Sequence, residues 1–403
     1  MLQTWRWFGP LDPISMDDLL QVGAEGVVSA LHHLPPGTVW PVAEIEKRQG
    51  EIAKRRNGAA SGLRWEVVES LPVSEAIKTR SGDYRAHLEA YRQSMCNLAA
   101  CGLQIVCYNF MPILDWTRTD LRAPMAHGGT AMRFDLLEFA VFDLFILRRS
   151  GAAQDYPADF TEQADRLFKT MDDAQKTALQ NNIVAGLPGA NDNWTLDDIG
   201  ALLQTYSTVT AESLRANLID FLADIIPLAD ELGLRFCCHP DDPPFSLLGL
   251  PRIMSSEADY AHVMNAVDSP ANGITFCTGS LGVAKGFDAA GFVERLGSRI
   301  HFAHLRNTSR TEPALPDRSS FYEAAHLEGH TDMAGVVAAL MREQDKRKAA
   351  GRADWRIAMR PDHGQELLQD IGSGGMPGYP LIGRMRGLAE LRGLMAAHQS
   401  PNN

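Results

Sequence analysis

The chain reads as an α/β protein built on a (β/α)8 TIM barrel, with a long, mostly helical insertion after its fourth strand. Three observations carry that reading. Eight short runs rich in β-branched and aromatic residues alternate with helical stretches, as a parallel barrel requires. The alternation breaks once, over 115–207. The last four strands end in His239, Cys277, His304 and Asp362, where a barrel gathers its functional groups.

Strands are expected over 4–9, 26–32, 63–69, 103–110, 234–239, 273–279, 299–306 and 355–362. Glycines and prolines punctuate them: Gly9-Pro10 stops the first, and Pro35-Pro36 follows the second. Helices are expected over 15–21, 42–56, 83–101, 211–232, 256–267, 288–296, 332–348 and 381–397, with two more inside the insertion at 136–149 and 165–181. No linker separates a second domain, so 1–403 is read as one barrel domain carrying the insertion.

Composition narrows the function. A net charge of −12 argues against nucleic acid or an anionic membrane surface as partner, since both reward clustered Lys and Arg. No run approaches the ~20 apolar residues of a membrane span, and the first residues show no signal peptide. Six cysteines without a regular framework point to a reduced, cytoplasmic protein. Cys96, Cys101 and Cys107 form no metal-type pair and are read as packing residues.

The chemistry concentrates in Cys237-Cys238-His239-Pro240-Asp241-Asp242-Pro243-Pro244. Prolines lack the N–H that helix and ladder need, so the strand must end there, and His239 sits at its end. Taken singly, each strand-end residue has a plain explanation: Cys277 a small buried hydrophobe, His304 a hydrogen-bonded core residue, Asp362 a cap, His239 part of the proline turn. Four strand ends with one ligand type each point instead to a divalent metal. Cys and His suit Zn²⁺, Fe²⁺ or Co²⁺. A closed tetrahedron leaves no room for substrate, so open coordination by Fe²⁺ or Mn²⁺ is favoured if the site is catalytic.

Arg306 follows His304 by two residues and Arg360 precedes Asp362 by two, so each pair shares a strand face. Either guanidinium can grip a substrate carboxylate, or pair with Asp241 or Asp242. Trp7, Asn109 and Asp241 are further candidates for substrate contact. His363 adjoins Asp362 as a candidate acid or base, and Tyr379 lies in a glycine-rich loop able to close over the mouth. No dinucleotide fingerprint or Gly-x-Ser-x-Gly element is present, and Gly186-Leu187-Pro188-Gly189 matches no phosphate loop.

The segments Thr4-Trp5-Arg6-Trp7-Phe8-Gly9-Pro10, Ala30-Leu31-His32-His33, His239-Pro240-Asp241-Asp242-Pro243-Pro244, Thr275-Phe276-Cys277-Thr278-Gly279-Ser280, His301-Phe302-Ala303-His304-Leu305-Arg306-Asn307 and Arg360-Pro361-Asp362-His363-Gly364 run from the first strand to the last. Together they resemble the mannonate dehydratases of hexuronate breakdown, a metal-dependent family with a xylose-isomerase-like barrel. The resemblance implies Mn²⁺ or Fe²⁺ held by His239, Cys277, His304 and Asp362, with His363 and Tyr379 catalytic. It also implies a homodimer, and loss of water from D-mannonate to give 2-dehydro-3-deoxy-D-gluconate. Asn191-Asp192-Asn193-Trp194 departs from the family pattern. A metal-dependent sugar isomerase or epimerase on the same barrel is the competing reading; a Cys and two His in place of carboxylates weigh against it. A barrel that only binds a sugar acid or stores metal is the third.

Overall fold

The computed structural model describes residues 1–114, 116–185 and 195–398; Asp115, Gly186-Leu187-Pro188-Gly189 and Asn191-Asp192-Asn193-Trp194 lie outside the described residues. In chain order the strands are β1 (Leu2–Arg6), β2 (Gly26–Ser29), β3 (Trp65–Glu69), β4 (Ile105–Tyr108), β5 (Asp120–Pro124), β6 (Thr130–Phe134), β7 (Arg235–Cys238), β8 (Asn272–Cys277), β9 (Ile300–Leu305), β10 (Asn307–Ala314), β11 (Ser319–Ala324) and β12 (Ala358–Pro361). Eight of them close a parallel barrel in the order β1-β12-β9-β8-β7-β4-β3-β2, and each falls within or beside an expected strand.

Alternation of side chains across each strand divides the chemistry. The outward row packs under the helices: Trp5, Val106, Tyr108, Phe236, Cys238, Ile274, Phe276, Ala303, Leu305 and Met359 belong to the large core. The inward row fills the barrel with Val28, Val67, Cys107, Cys237, Phe302 and Ala358. Val28, Cys107 and Ala358 come from the second, fourth and eighth barrel strands, and Val67, Cys237 and Phe302 from the third, fifth and seventh. This is the layering by alternate strands that makes a barrel interior solid. The small thiols leave room for the Phe302 ring, and Thr275 donates to Cys107 Sγ at 3.2 Å.

Two residues beyond this floor, the same inward row reaches the mouth. Thr4 is followed by Arg6, Val67 by Glu69, Cys107 by Asn109, Cys237 by His239, Thr275 by Cys277, Phe302 by His304, and Ala358 by Arg360. The floor excludes water from below, and the polar groups above it share one dry chamber.

The helix Ala211–Leu232 shows how the outer ring is built. Thr210 caps its start by accepting from Ser213 N, Gly233 ends it at φ 69°, and Leu214, Leu218, Phe221, Leu222, Ile225 and Ala229 form its buried stripe.

The insertion differs from expectation in two ways. The single helix expected over 165–181 is two, Ala158–Thr170 and Asp173–Val184, because Asp172 caps the second by accepting from Gln175 N. The insertion also opens with strands rather than helix. β5 and β6 join β10 and β11 in an antiparallel sheet of order β10-β11-β6-β5. The bond between the two hairpins, Phe321 opposite Phe134 and Tyr322 opposite Arg133, spans nearly half the chain. Short polar strands of this kind, such as Asp120-Leu121-Arg122-Ala123-Pro124, carry no clear period of their own; the stacked rings of Phe134 and Phe321, 5.5 Å apart, hold them.

Candidate metal centre and active site

His239, Cys277 and His304 converge, with their ligand atoms all within 4.8 Å of one another. Strand register explains the meeting: His304 lies opposite Cys277 on one side and Arg360 on the other. His239 Nδ1 lies 2.7 Å from the Pro240 carbonyl, to which it donates, leaving Nε2 to face His304 Nδ1 at 3.2 Å. The second nitrogen of His304 lies 3.4 Å from Glu69 Oε2. The His239 ring is thus oriented by an acceptor behind it, as metal-binding histidines require. Asp362 Oδ2 lies 3.8 Å from Cys277 Sγ and 3.7 Å from His304 Nδ1.

Cys277 receives hydrogen bonds from Ser280 N and Ser280 Oγ at 3.4 and 3.2 Å. Burial opposes its ionisation, but Arg306 and the two histidines outweigh it and hold the thiol pKa well below the ordinary range. Burial likewise opposes the Asp362 charge, and Arg360, His363, His304 and Arg306 bring its pKa well down. Two imidazole nitrogens, a thiolate and a carboxylate fit a divalent ion.

The cavity above is lined by Arg6, Glu69, Ser70, Asn109, Met111, Trp116, His239, Asp242, Arg360, Asp362, His363 and Tyr379. His363 Nε2 lies 3.2 Å from the Tyr379 hydroxyl, with the two rings edge to face. On its other side His363 Nδ1 lies 3.1 Å from Glu323 Oε1 and also meets the Arg306 guanidinium. Burial pushes the Tyr379 hydroxyl up to about 12.

The two arginines expected to grip substrate are held by protein. Arg306 pairs with Asp242 and with Glu323, and its Nε lies 3.2 Å from Asp362. Its side chain lies across Gly279, where a Cβ would come within 2.1 Å of Arg306 Nε. Arg360 holds Glu69 with Nε and a terminal nitrogen at 3.0 and 2.8 Å, and turns the other terminal nitrogen to Asp362. So the Arg306–Asp242 pairing foreseen as the alternative is present, while Arg360 takes Glu69 and Asp362 as partners.

The remaining candidates divide. Asn109 lines the cavity. Trp7 lies one residue out of the inward row; its indole donates to the Ile14 carbonyl at 2.9 Å and its ring packs in the outer core. Asp241 turns away too, accepting from Met254 N and Ser255 Oγ, and its neighbour Asp242 takes the cavity position.

Sequence reasoning missed Arg6, Glu69, Arg118 and Glu323. The strand-end rule that found His239 also reaches Arg6 and Glu69, which end β1 and β3. Glu323 stands on β11, and Arg118 lies just before β5. Arg118 bonds Asp242 at 2.9 and 3.2 Å and Glu323 at 2.6 Å. Burial opposes the Glu323 charge, but Arg306, His363 and Arg118 bring its pKa down to about 2.

Comparison with known proteins places this site in context. A family model described as D-mannonate dehydratase (UxuA) matches residues 1–403. A mannonate dehydratase of Rhizobium meliloti (strain 1021) is 53% identical over 397 residues, covering 98% of this chain and 97% of that one. One of Chromohalobacter salexigens is 49% identical over 397 residues, covering 98% of each. The crystal structure of mannonate dehydratase from Streptococcus suis serotype 2 superposes with a TM-score of 0.74 at 30% identity, covering 99% of this chain and 93% of that one.

Proposed function

We infer the division of labour at this site from one premise: the chain belongs to the D-mannonate dehydratase family. It is a hydro-lyase that converts D-mannonate to 2-dehydro-3-deoxy-D-gluconate and water in hexuronate catabolism. The observation that carries the assignment of roles is the convergence of His239, Cys277, His304 and Asp362 beside the touching pair His363 and Tyr379.

His239, Cys277, His304 and Asp362 would hold the metal, Mn²⁺ or Fe²⁺. The bound ion supplies Lewis-acid polarisation of substrate oxygens, which acidifies a C2 proton flanked by a poorly activating carboxylate.

His363 takes the C2 proton and Tyr379 protonates the departing C3 hydroxyl. With its proton on Nδ1, toward Glu323, His363 would turn the Nε2 lone pair to the cavity. A phenol whose pKa is pushed up to about 12 keeps its proton near neutrality and can donate it. The enol left after water departs becomes the keto acid by protonation at C3. Arg306 and Arg360 orient Asp362 and, with Asn109, shape the chamber around the sugar acid. The free cysteines, Cys277 among them, support a reducing, cytoplasmic setting, and among the described residues no helix is long and apolar enough to cross a membrane.

Anaerobic purification with metal analysis, followed by assay on D-mannonate, tests the metal assignment. Chelation is expected to abolish formation of the 2-keto-3-deoxy acid, and Mn²⁺ or Fe²⁺ to restore it; full activity in demetallated protein would sink it. The acid and base separate in D₂O. Tyr379→Phe is expected to retain exchange of the C2 proton while losing dehydration, and His363→Asn to lose both. The reverse pattern overturns the assignment.

A further inference from the structure

Two arginines line the cavity, Arg6 and Arg360, and they are not equivalent. Arg360 turns all three guanidinium nitrogens to protein carboxylates. Arg6 turns one: a terminal nitrogen lies 2.5 Å from Glu69 Oε1. Its other terminal nitrogen has only His32 Nε2 at 3.5 Å, and its Nε is buried with no partner among the described residues.

Glu69 does not need this second cation, because Arg360 already grips both its oxygens. A 3%-exposed guanidinium with spare donors is costly to bury unless something else completes it. Its place is also specific. Arg6 ends β1 on the inward row above Thr4. Its guanidinium lies 4.9 Å from the Phe8 ring, which packs edge-on against Tyr379 at 4.8 Å. Through Glu69 it adjoins His304. One residue therefore separates Arg6 from the proton donor, and one from the ligand set.

We propose that Arg6 binds the carboxylate of the substrate and sets the enzyme's preference for sugar acids over neutral sugars. This rests on the dehydratase reading above. A guanidinium at the cavity wall whose second terminal nitrogen has one 3.5 Å contact can turn that nitrogen to a carboxylate. Arg360, with all three guanidinium nitrogens on protein carboxylates, keeps the wall in place.

The experiment compares metal-loaded wild type, Arg6→Met and Arg6→Lys with D-mannonate as substrate and the neutral amide D-mannonamide as competitor. Arg6→Met is expected to raise KM for D-mannonate roughly 10- to 100-fold, the range of a lost charge-assisted pair, with kcat within about threefold. Metal content and thermal midpoint should hold, Arg6→Lys should fall between, and inhibition by the amide should not weaken. Three results overturn the proposal: an unchanged KM, equal weakening for acid and amide, or a KM rise that tracks loss of metal or stability and is not relieved in Arg6→Lys. Calorimetric titration of D-mannonate keeps the two readings apart. Wild type that binds the acid through Arg6 without dehydrating it refutes the reaction and spares the anchor; turnover with an indifferent Arg6 does the converse.

Discussion

The two halves of the active site are made in different ways. The lower half is the barrel rim, where His239, Cys277, His304 and Asp362 stand at or near the ends of neighbouring parallel strands. The upper half is the antiparallel sheet and the segment leading into it, which bring Glu323 and Arg118 to Asp242, Arg306 and His363. The rim is assembled by register between adjacent strands. The cap is assembled by pairing residues near 134 with residues near 321. The rim should therefore govern metal, and the cap should govern the proton-transfer group and the stability of the charge network.

Cys277→Ser is expected to have the largest effect, because it removes a thiolate from the ligand set. Metal content measured on purified protein should fall and turnover with it, whereas full metal retention would remove Cys277 from the set. His363→Asn comes next: kcat is expected to drop by ~10²-fold or more while metal content stays near wild type. If metal is lost as well, the separation between rim and cap fails.

Glu323→Ala tests the cap directly. Deleting a carboxylate that meets Arg118, Arg306 and His363 leaves buried cations facing one another. Such a break costs about 3–5 kcal/mol, readable as a lower denaturant midpoint, with metal content retained. The smallest effect is one of pH. The Glu323 pKa is lowered to about 2 from an ordinary value near 4.5. Its contribution to stability is full above the ordinary value and is lost as pH falls through that range toward 2. Unfolding of wild type should steepen over that window, and Glu323→Gln should flatten it.

This contrast also explains what could be read in advance. Each barrel strand carries its own period, floor residue then mouth residue two positions on, so Phe302 and His304, or Cys237 and His239, announce themselves locally. The same rule reaches Glu69 after Val67 and Arg6 after Thr4, and it explains why Trp7 packs outward. Asp241 and Asp242 show the limit. Both follow His239 in a proline-rich loop without a period, and hydrogen bonds to Met254 and Ser255 decide which of them turns away.

The barrel, the order of its strands and the gathering of His239, Cys277, His304 and Asp362 at one rim were legible in the amino-acid sequence, because alternation along a strand is local and parallel neighbours bring strand ends together. Tertiary structure alone decided which carboxylate each buried arginine meets. Arg306 and Arg360 look alike beside their ligands in sequence, as does Arg6 beside Trp7. Only the closed barrel and its cap show that Arg306 and Arg360 each meet several carboxylates while Arg6 meets one. Hydrogen-bond saturation depends on every partner within reach, and those partners come from strands that meet only when the chain is folded.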